Sequence, residues 1–592
     1  MKKIFVFVAA AALVGFFGCS PKTSTNTPVD QGISGVISHD TTWNTSAHVV
    51  GDLTIHANVV WSRKITVTVD EGVVIAVDGS GSLTVHEGVK TQFATGADME
   101  VGYSGAGTLI AQGSDSLPVL FTHQAGVTNW GSDKGGIVIF NNASANNNLD
   151  NCIIEYATSG IYDDGIPVAI TRCKIRNNQA FGIDFVNDGA EPKDSASFIK
   201  DSITGNGSYA ITMQAEAVRN LSGDTYFSGN TKAGIRIEGG DVTKNATWKK
   251  HATPYVVTAQ VTVANATGVI LRINPGTVLQ FDAAAYFDVG HNNEATFIAN
   301  GTTTDSIKFT TTTPGAFWGN TGNESGGFVF WGKTTTVSSL TYCVIDSAVA
   351  GVDLWDAAMT ISNNTIRNNQ TSGLVFASPA ATPNDSASFV NNAITGNGSY
   401  AIEIYSSELG NLSGTGTVAG NTKGGIFVTG DGVTKDATWK KHDASYIVDG
   451  TVAVDDPTGP TVTIRPGSKF ELVKDASFDV GYSDAGAIIA NGTPTDSIIF
   501  TNKVTGTYWG VNSNEAGGFQ FWGGTASTSL LKYCVINSAT CGIYDDGPVT
   551  VENCSITNCQ TYGVTFFTDA TPNTVSGNFF HGNVVGDTAT NP

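Results

Sequence analysis

The chain has 592 residues, 52 acidic against 31 basic, so its net charge is −21 although only 14% of its residues are charged. With no basic stripe to neutralise phosphates, nucleic acid is excluded as a partner class. The acidic surface is compatible with divalent cations or neutral glycans, and its plainest use is to keep an exported protein soluble.

Residues 1–19 read as an export signal. Lys2 and Lys3 form a positive start, and Ile4 to Phe17 is an apolar run too short for a comfortable membrane span. The run closes on Gly15-Phe16-Phe17-Gly18-Cys19-Ser20, which resembles the lipobox of bacterial lipoproteins, with Phe16 in place of the usual leucine. The resemblance implies that Cys19 is lipidated and that its acyl chains hold the mature protein at a membrane, the outer membrane or the cell surface. The competing reading is an ordinary secretory signal with an incidental cysteine. Residues 20–42 are polar and aperiodic, and are expected to be a flexible tether.

From residue 43 onward the chain repeats itself. Cys152, Cys343 and Cys534 head Cys-Ile-Ile, Cys-Val-Ile and Cys-Val-Ile at intervals of 191 residues, and Trp248-Lys-Lys-His returns at Trp439. A fixed period divides the chain into units of about 190 residues, at 43–247, 248–438 and 439–592. The first has about 17 additional residues between Trp43 and Val101, read as an extra coil or cap, and Phe579-Phe580-His581 is expected to close the far end. Inside the units runs a shorter beat. Gly160-Ile161, Gly182-Ile183, Ala210-Ile211 and Gly234-Ile235 are separated by 22, 28 and 24 residues, and the second unit repeats those steps. Short alternating segments between Gly/Asn/Asp turns predict strands that cannot bury a face alone and must stack into a solenoid. About eight coils per unit and some two dozen in all predict a rod on the order of 110 Å long. Asn178, Asn206 and Asn230, each three residues after an apolar residue, are expected both to take the left-handed bend and to hydrogen-bond along the axis.

The Asn-x-x-x-Gly-Ile pattern, as in Asn178-Gln-Ala-Phe-Gly-Ile, resembles the parallel β-helix repeat of the pectate-lyase-like superfamily. Landmarks such as Ile273-Asn-Pro-Gly-Thr, Ala299-Asn-Gly-Thr and Trp318-Gly resemble a module of secreted bacterial β-helix proteins. The implied fold is all-β, a right-handed parallel β-helix. Propeller blades repeat nearer 40 residues and fit the spacing poorly.

Apart from Cys19, seven cysteines remain, an odd number without zinc spacing. Cys152 and Cys173 fall one coil apart, as do Cys534 and Cys554, and a reduced interior stack is preferred to bridges. Asp163-Asp164 recurs as Asp545-Asp546. These pairs are candidates for Ca²⁺ or for acid/base work, against the simpler reading of an acidic turn. No other cofactor is expected. Trp331 and Trp522 follow Gly-Gly-Phe-x-Phe, with Phe140 at the same place in the first unit. Alternation turns them outward, where they would stack on sugar rings or cover a neighbouring turn. The insertions at 187–195 and 378–386 are expected to project from the rod as candidate binding loops.

Because every chemical-looking group is copied between units, the preferred expectation is a non-enzymatic, monomeric surface lipoprotein whose partners are the membrane and a polysaccharide or another surface. The alternatives are a polysaccharide lyase or glycoside hydrolase acting on acidic glycans, and a passive envelope spacer.

Overall fold

The computed structural model describes residues 32–322, 326–511, 517–567 and 574–591. Cys19 and residues 20–31 of the expected tether lie outside them. The chain is strand from Ile33 onward, since Ile33–Ile37 pairs in parallel with Ala47–Ile55 and Thr41–Trp43 with Asn58–Trp61, so residues 33–42 belong to the rod. Among the described residues no helix is long and apolar enough to cross a membrane.

The architecture is a parallel β-solenoid of about 22 turns, about 100 Å long at the strand spacing of a sheet. Strands such as Thr66–Val69 and Val74–Val77 alternate partly exposed and buried residues. Their Val and Ile side chains point inward and stack with those of the next turn into one continuous core. The bends and the axial hydrogen bonds are divided between adjacent residues. Asn177 and Asn368 take the left-handed conformation (φ 56° and 55°). Asn178, Asn206 and Asn230 next to such positions turn inward: Asn178 Nδ2 donates to Asn206 Oδ1 and Asn206 Nδ2 to Asn230 Oδ1, both at 2.9 Å, and Asn230 Nδ2 ends the row on the Ile203 carbonyl at 3.0 Å. The expected double role of the ladder asparagines is therefore corrected by one residue: a side chain aimed into the core cannot also be the corner. All seven cysteines among the described residues are buried and free, with the Cys152 N–H donating to Cys173 Sγ at 3.4 Å.

Between Trp43 and Val101 the chain makes one turn more than between Trp248 and Val289, the added turn being Ala47–Ile55, which spans two faces, and Asn58–Trp61. In each repeat the strand headed by Cys152, Cys343 or Cys534 lies on a first face, the following Gly-Ile-type strand on a second, and the strand before the cysteine on a third. These faces are not continuous along the rod. The second-face line Ile161–Asp163, Ile183–Phe185, Ile211–Met213, Ile235–Ile237 runs on into Tyr255–Val257, Val278–Phe281, Ile307–Thr311 and Cys343–Asp346, the first-face strands of the next repeat. The same exchange takes Val352–Leu354, through Gly424–Thr429 and Tyr446–Asp449, to Cys534–Asn537. The 191-residue period is thus seven turns plus one face, where eight coils were expected.

The exchange has a local cause. The third-face sheet ends on Glu191–Pro192 and Phe198–Ile199, and the 3-10 helix Ala215–Asn220 lies over it. Two new sheets start on that helix, at Gly240–Val242 and Ala246–Trp248. The first-face sheet stops at Tyr226–Ser228, where His251 of Trp-Lys-Lys-His packs its ring 5.2 Å from Phe227. The 3-10 helix Ser406–Asn411 and Trp439 occupy the corresponding places at the second boundary.

Candidate functional site

The corner that follows each second-face strand gathers the aromatic residues singled out above. A Val-Gly pair builds it, because Gly102, Gly290 and Gly481 have φ of 79°, 73° and 70°. A β-carbon there would come within 2.3, 2.6 and 2.1 Å of the backbone of Ala143, Thr334 and Thr525. The residue after the glycine is Tyr103, His291 or Tyr482, and it faces Phe140, Trp331 or Trp522 on the next turn.

The second repeat has the most elaborate version. His291 stacks on Trp331 (centroids 4.3 Å, interplanar angle 12°), and Trp355 continues the stack (6.0 Å, 27°). Carboxylates underlie the rings. Trp331 Nε1 donates to Asp288 Oδ1 at 2.7 Å, and Trp355 Nε1 donates to Asp353 Oδ2 at 3.2 Å. Gln260 Nε2 donates to the other Asp288 oxygen at 2.8 Å, which also lies 3.3 Å from His291 Nδ1. Both aspartates are buried, so the indoles are fixed from below while Trp331 and Trp355 remain partly exposed. In the third repeat Trp522 meets Tyr482 edge-on at 5.1 Å and Tyr544 at 5.2 Å, and Gln520 donates to Asp479 at 2.7 Å. Burial pushes Asp479 up to about 6. In the first repeat Phe140 is buried beneath Tyr103 and the Lys134 ammonium, which lies 4.4 Å from its ring centroid. Nearby Glu100 is pushed up to about 7, chiefly by burial and then by the charge of Asp98.

A loop before each second-face strand is pinned by a buried tryptophan. Trp130, Trp318 and Trp509 donate from Nε1 to the carbonyls of Glu155, Asp346 and Asn537 at 2.9, 2.9 and 2.8 Å.

The two acidic pairs are divided by the strand end. Asp163 is fully buried, and its Oδ1 accepts the N–H groups of Gly165 (3.2 Å) and Ile166 (3.1 Å). Its Oδ2 has no hydrogen-bond partner among the described residues, and burial pushes the carboxyl up to about 8. Asp164 faces outward and accepts from Asn187. Asp545 is buried like Asp163, with Asp546 half-buried beside it. Calcium takes six to eight oxygens, and two carboxyls on opposite sides of a wall supply no such shell. Among the described residues no group of three His, Cys, Asp or Glu could hold a metal ion. The insertions at 187–195 and 378–386 do not project throughout as expected, because Glu191–Pro192 pairs with Pro167–Val168 and Thr382–Pro383 with Ala358–Met359 in the third-face sheet. A short exposed turn remains at Lys193–Asp194, where the Asp194 carboxylate accepts the Ser197 N–H at 2.8 Å.

The aromatic members Trp331, Trp522 and Phe140 were visible in the sequence, whereas His291, Trp355, Asp288 and Asp353 were not. These residues lie 22 to 43 positions away from Trp331, and only the register brings them together. No protein-family model and no curated protein matches the chain.

Proposed function

We propose that this chain is an exported rod, anchored through Cys19, that binds polysaccharide at the aromatic corners and does so without catalysis. The observation that carries the reading is the stack of His291, Trp331 and Trp355 over Asp288 and Asp353. Partly exposed rings held rigid by buried acceptors offer flat apolar surface at low entropic cost, and adjacent polar groups can meet the hydroxyls of a sugar. Related corners around Trp522 and Phe140 make the arrangement multivalent.

The arrangement of carboxyl groups supports a binding role over glycoside hydrolysis. Asp98, two residues before Glu100 on the same side of its strand and raised to about 6, is buried under the neighbouring loop and out of reach of a substrate. The next raised carboxyl, Asp184 at about 6, lies three strands from Glu100 at about 7. That spacing is about 14 Å, whereas paired glycosidase carboxyls stand roughly 5 to 9.5 Å apart.

Pull-down on insoluble polysaccharides and screening on a glycan array test the reading. Trp331→Ala with Trp522→Ala should lose at least tenfold in retained protein without loss of fold. Equal retention of the double variant and the parent would sink the proposal.

A further inference from the structure

One charged constellation is not copied along the rod. At the corner leading into the first face, Arg172 and Lys200 occupy left-handed backbone positions one turn apart, with φ of 55° and 57°. The corresponding residues of the second repeat are Asn363 (57°) and Asn391 (55°), and the third has Asn553 (54°) at the place of Arg172. Asparagine is a residue that tolerates this conformation, while long side chains pay for it. Lys174, beside them on the outer side of Lys174–Arg176, is replaced by Thr365 and Ser555 in the other copies. The first repeat therefore holds cations at corners that suit asparagine, in a chain of net charge −21.

These cations line a depression of about 410 Å³ with Asp115, Pro118 and Asn151. Arg172 is paired with Asp150 at 2.5 Å, which orients its guanidinium. Lys200 lies near Asp224, and neither its ammonium nor that of Lys174 makes a salt bridge among the described residues. Asp115 is the one acid in the lining among the described residues. Two unpaired ammonium groups and an oriented guanidinium around one concavity match the charge and geometry of an oxyanion. Backbone strain kept at a cationic corner is the pattern of a site retained for binding at the expense of stability.

We propose that this depression binds the anionic group, carboxylate or phosphate, of a ligand of the rod. The site is independent of the aromatic corners. Calorimetric titration of the full chain with inorganic phosphate, and separately with glucuronate, distinguishes the two anions. Saturation at one equivalent is expected, weakening as salt is added. The triple variant Arg172→Asn, Lys174→Thr, Lys200→Asn should bind at least tenfold more weakly yet melt at a higher temperature. A merely structural role for the cations would lower the melting temperature. The reciprocal variant Asn363→Arg, Thr365→Lys, Asn391→Lys should raise the stoichiometry to two. Failure of both anions to titrate at low salt, or unchanged affinity in the first variant, would overturn the proposal.

Discussion

Asp201 shows how a single substitution within a repeated position carries a consequence that can be measured. It stands where the second repeat has Asn392, and its Oδ1 accepts the Cys173 N–H at 2.8 Å as Asn392 Oδ1 accepts the Asn364 N–H at 3.1 Å. Asn392 also donates to the Ile361 carbonyl at 2.8 Å, a bond that a carboxylate cannot make. Asp201 Oδ2 has no partner among the described residues, and burial pushes the group from 3.8 up to about 8. Below about pH 4 it is protonated both folded and unfolded, and the rod bears no cost. As pH rises from 4 to 8 the folded state holds a proton that the unfolded chain releases, so stability falls across that window and levels off above it. Asp201→Asn should therefore stabilise the first repeat by about 1–2 kcal/mol at neutral pH and flatten the profile. Asp163, Glu100, Asp98, Asp184 and Asp479 titrate in the same window and keep part of the slope. Thermal melts of parent and variant from pH 4 to 8 measure both effects.

At the scale of the element, the best-defined unit is the pinned loop and the strand it precedes. Trp318 is fully buried, lies 4.1 Å from Phe281 in a parallel stack and donates to the Asp346 carbonyl, while Gly327 leaves room for its ring. A β-carbon at Gly327 would lie 2.6 Å from the indole, so Gly327→Ala should cost about 1–3 kcal/mol through overpacking. In a solenoid each turn contacts only its neighbours. Hydrogen exchange should therefore accelerate in Phe328–Phe330 and the adjoining strands Phe287–Val289 and Val352–Leu354, and remain unchanged in the first and third repeats. The elements were legible from period-2 alternation and from the 22, 28 and 24 residue steps, because an inward Val or Ile at every second place has only one use in such a coil. The 3-10 helices were not legible. Ala215–Asn220 and Ser406–Asn411 are single short stretches whose pattern shows no helical period.

For the whole molecule, seven turns plus one face is the property with the greatest effect on function. Related aromatic corners lie about 35 Å apart along the axis and look out from successive sides of the rod. A straight polymer lying along one side meets one corner, so the three corners suit cross-linking of separate chains better than tracking along one. The sequence displayed the period but hid the turn. Tyr255-Val-Val continues the Ile235 sheet, yet its motif belongs to the cysteine line of its own repeat, and nothing in the residues marks the exchange. Phe140, Trp331 and Trp522 were legible as copies for the same reason that their differing directions were not.

Disulfide trapping across the first boundary tests this exchange most directly. The outward residues Arg236 and Val256 are register partners on adjacent parallel strands, about 5 Å apart and within disulfide reach. Arg236→Cys with Val256→Cys should oxidise to an intramolecular bridge detected by mass spectrometry of the digested protein. Ser228→Cys with Val256→Cys, the outward residues that would be register partners if the first face ran straight on, should remain reduced. Bridging in the second pair and not the first would contradict the account.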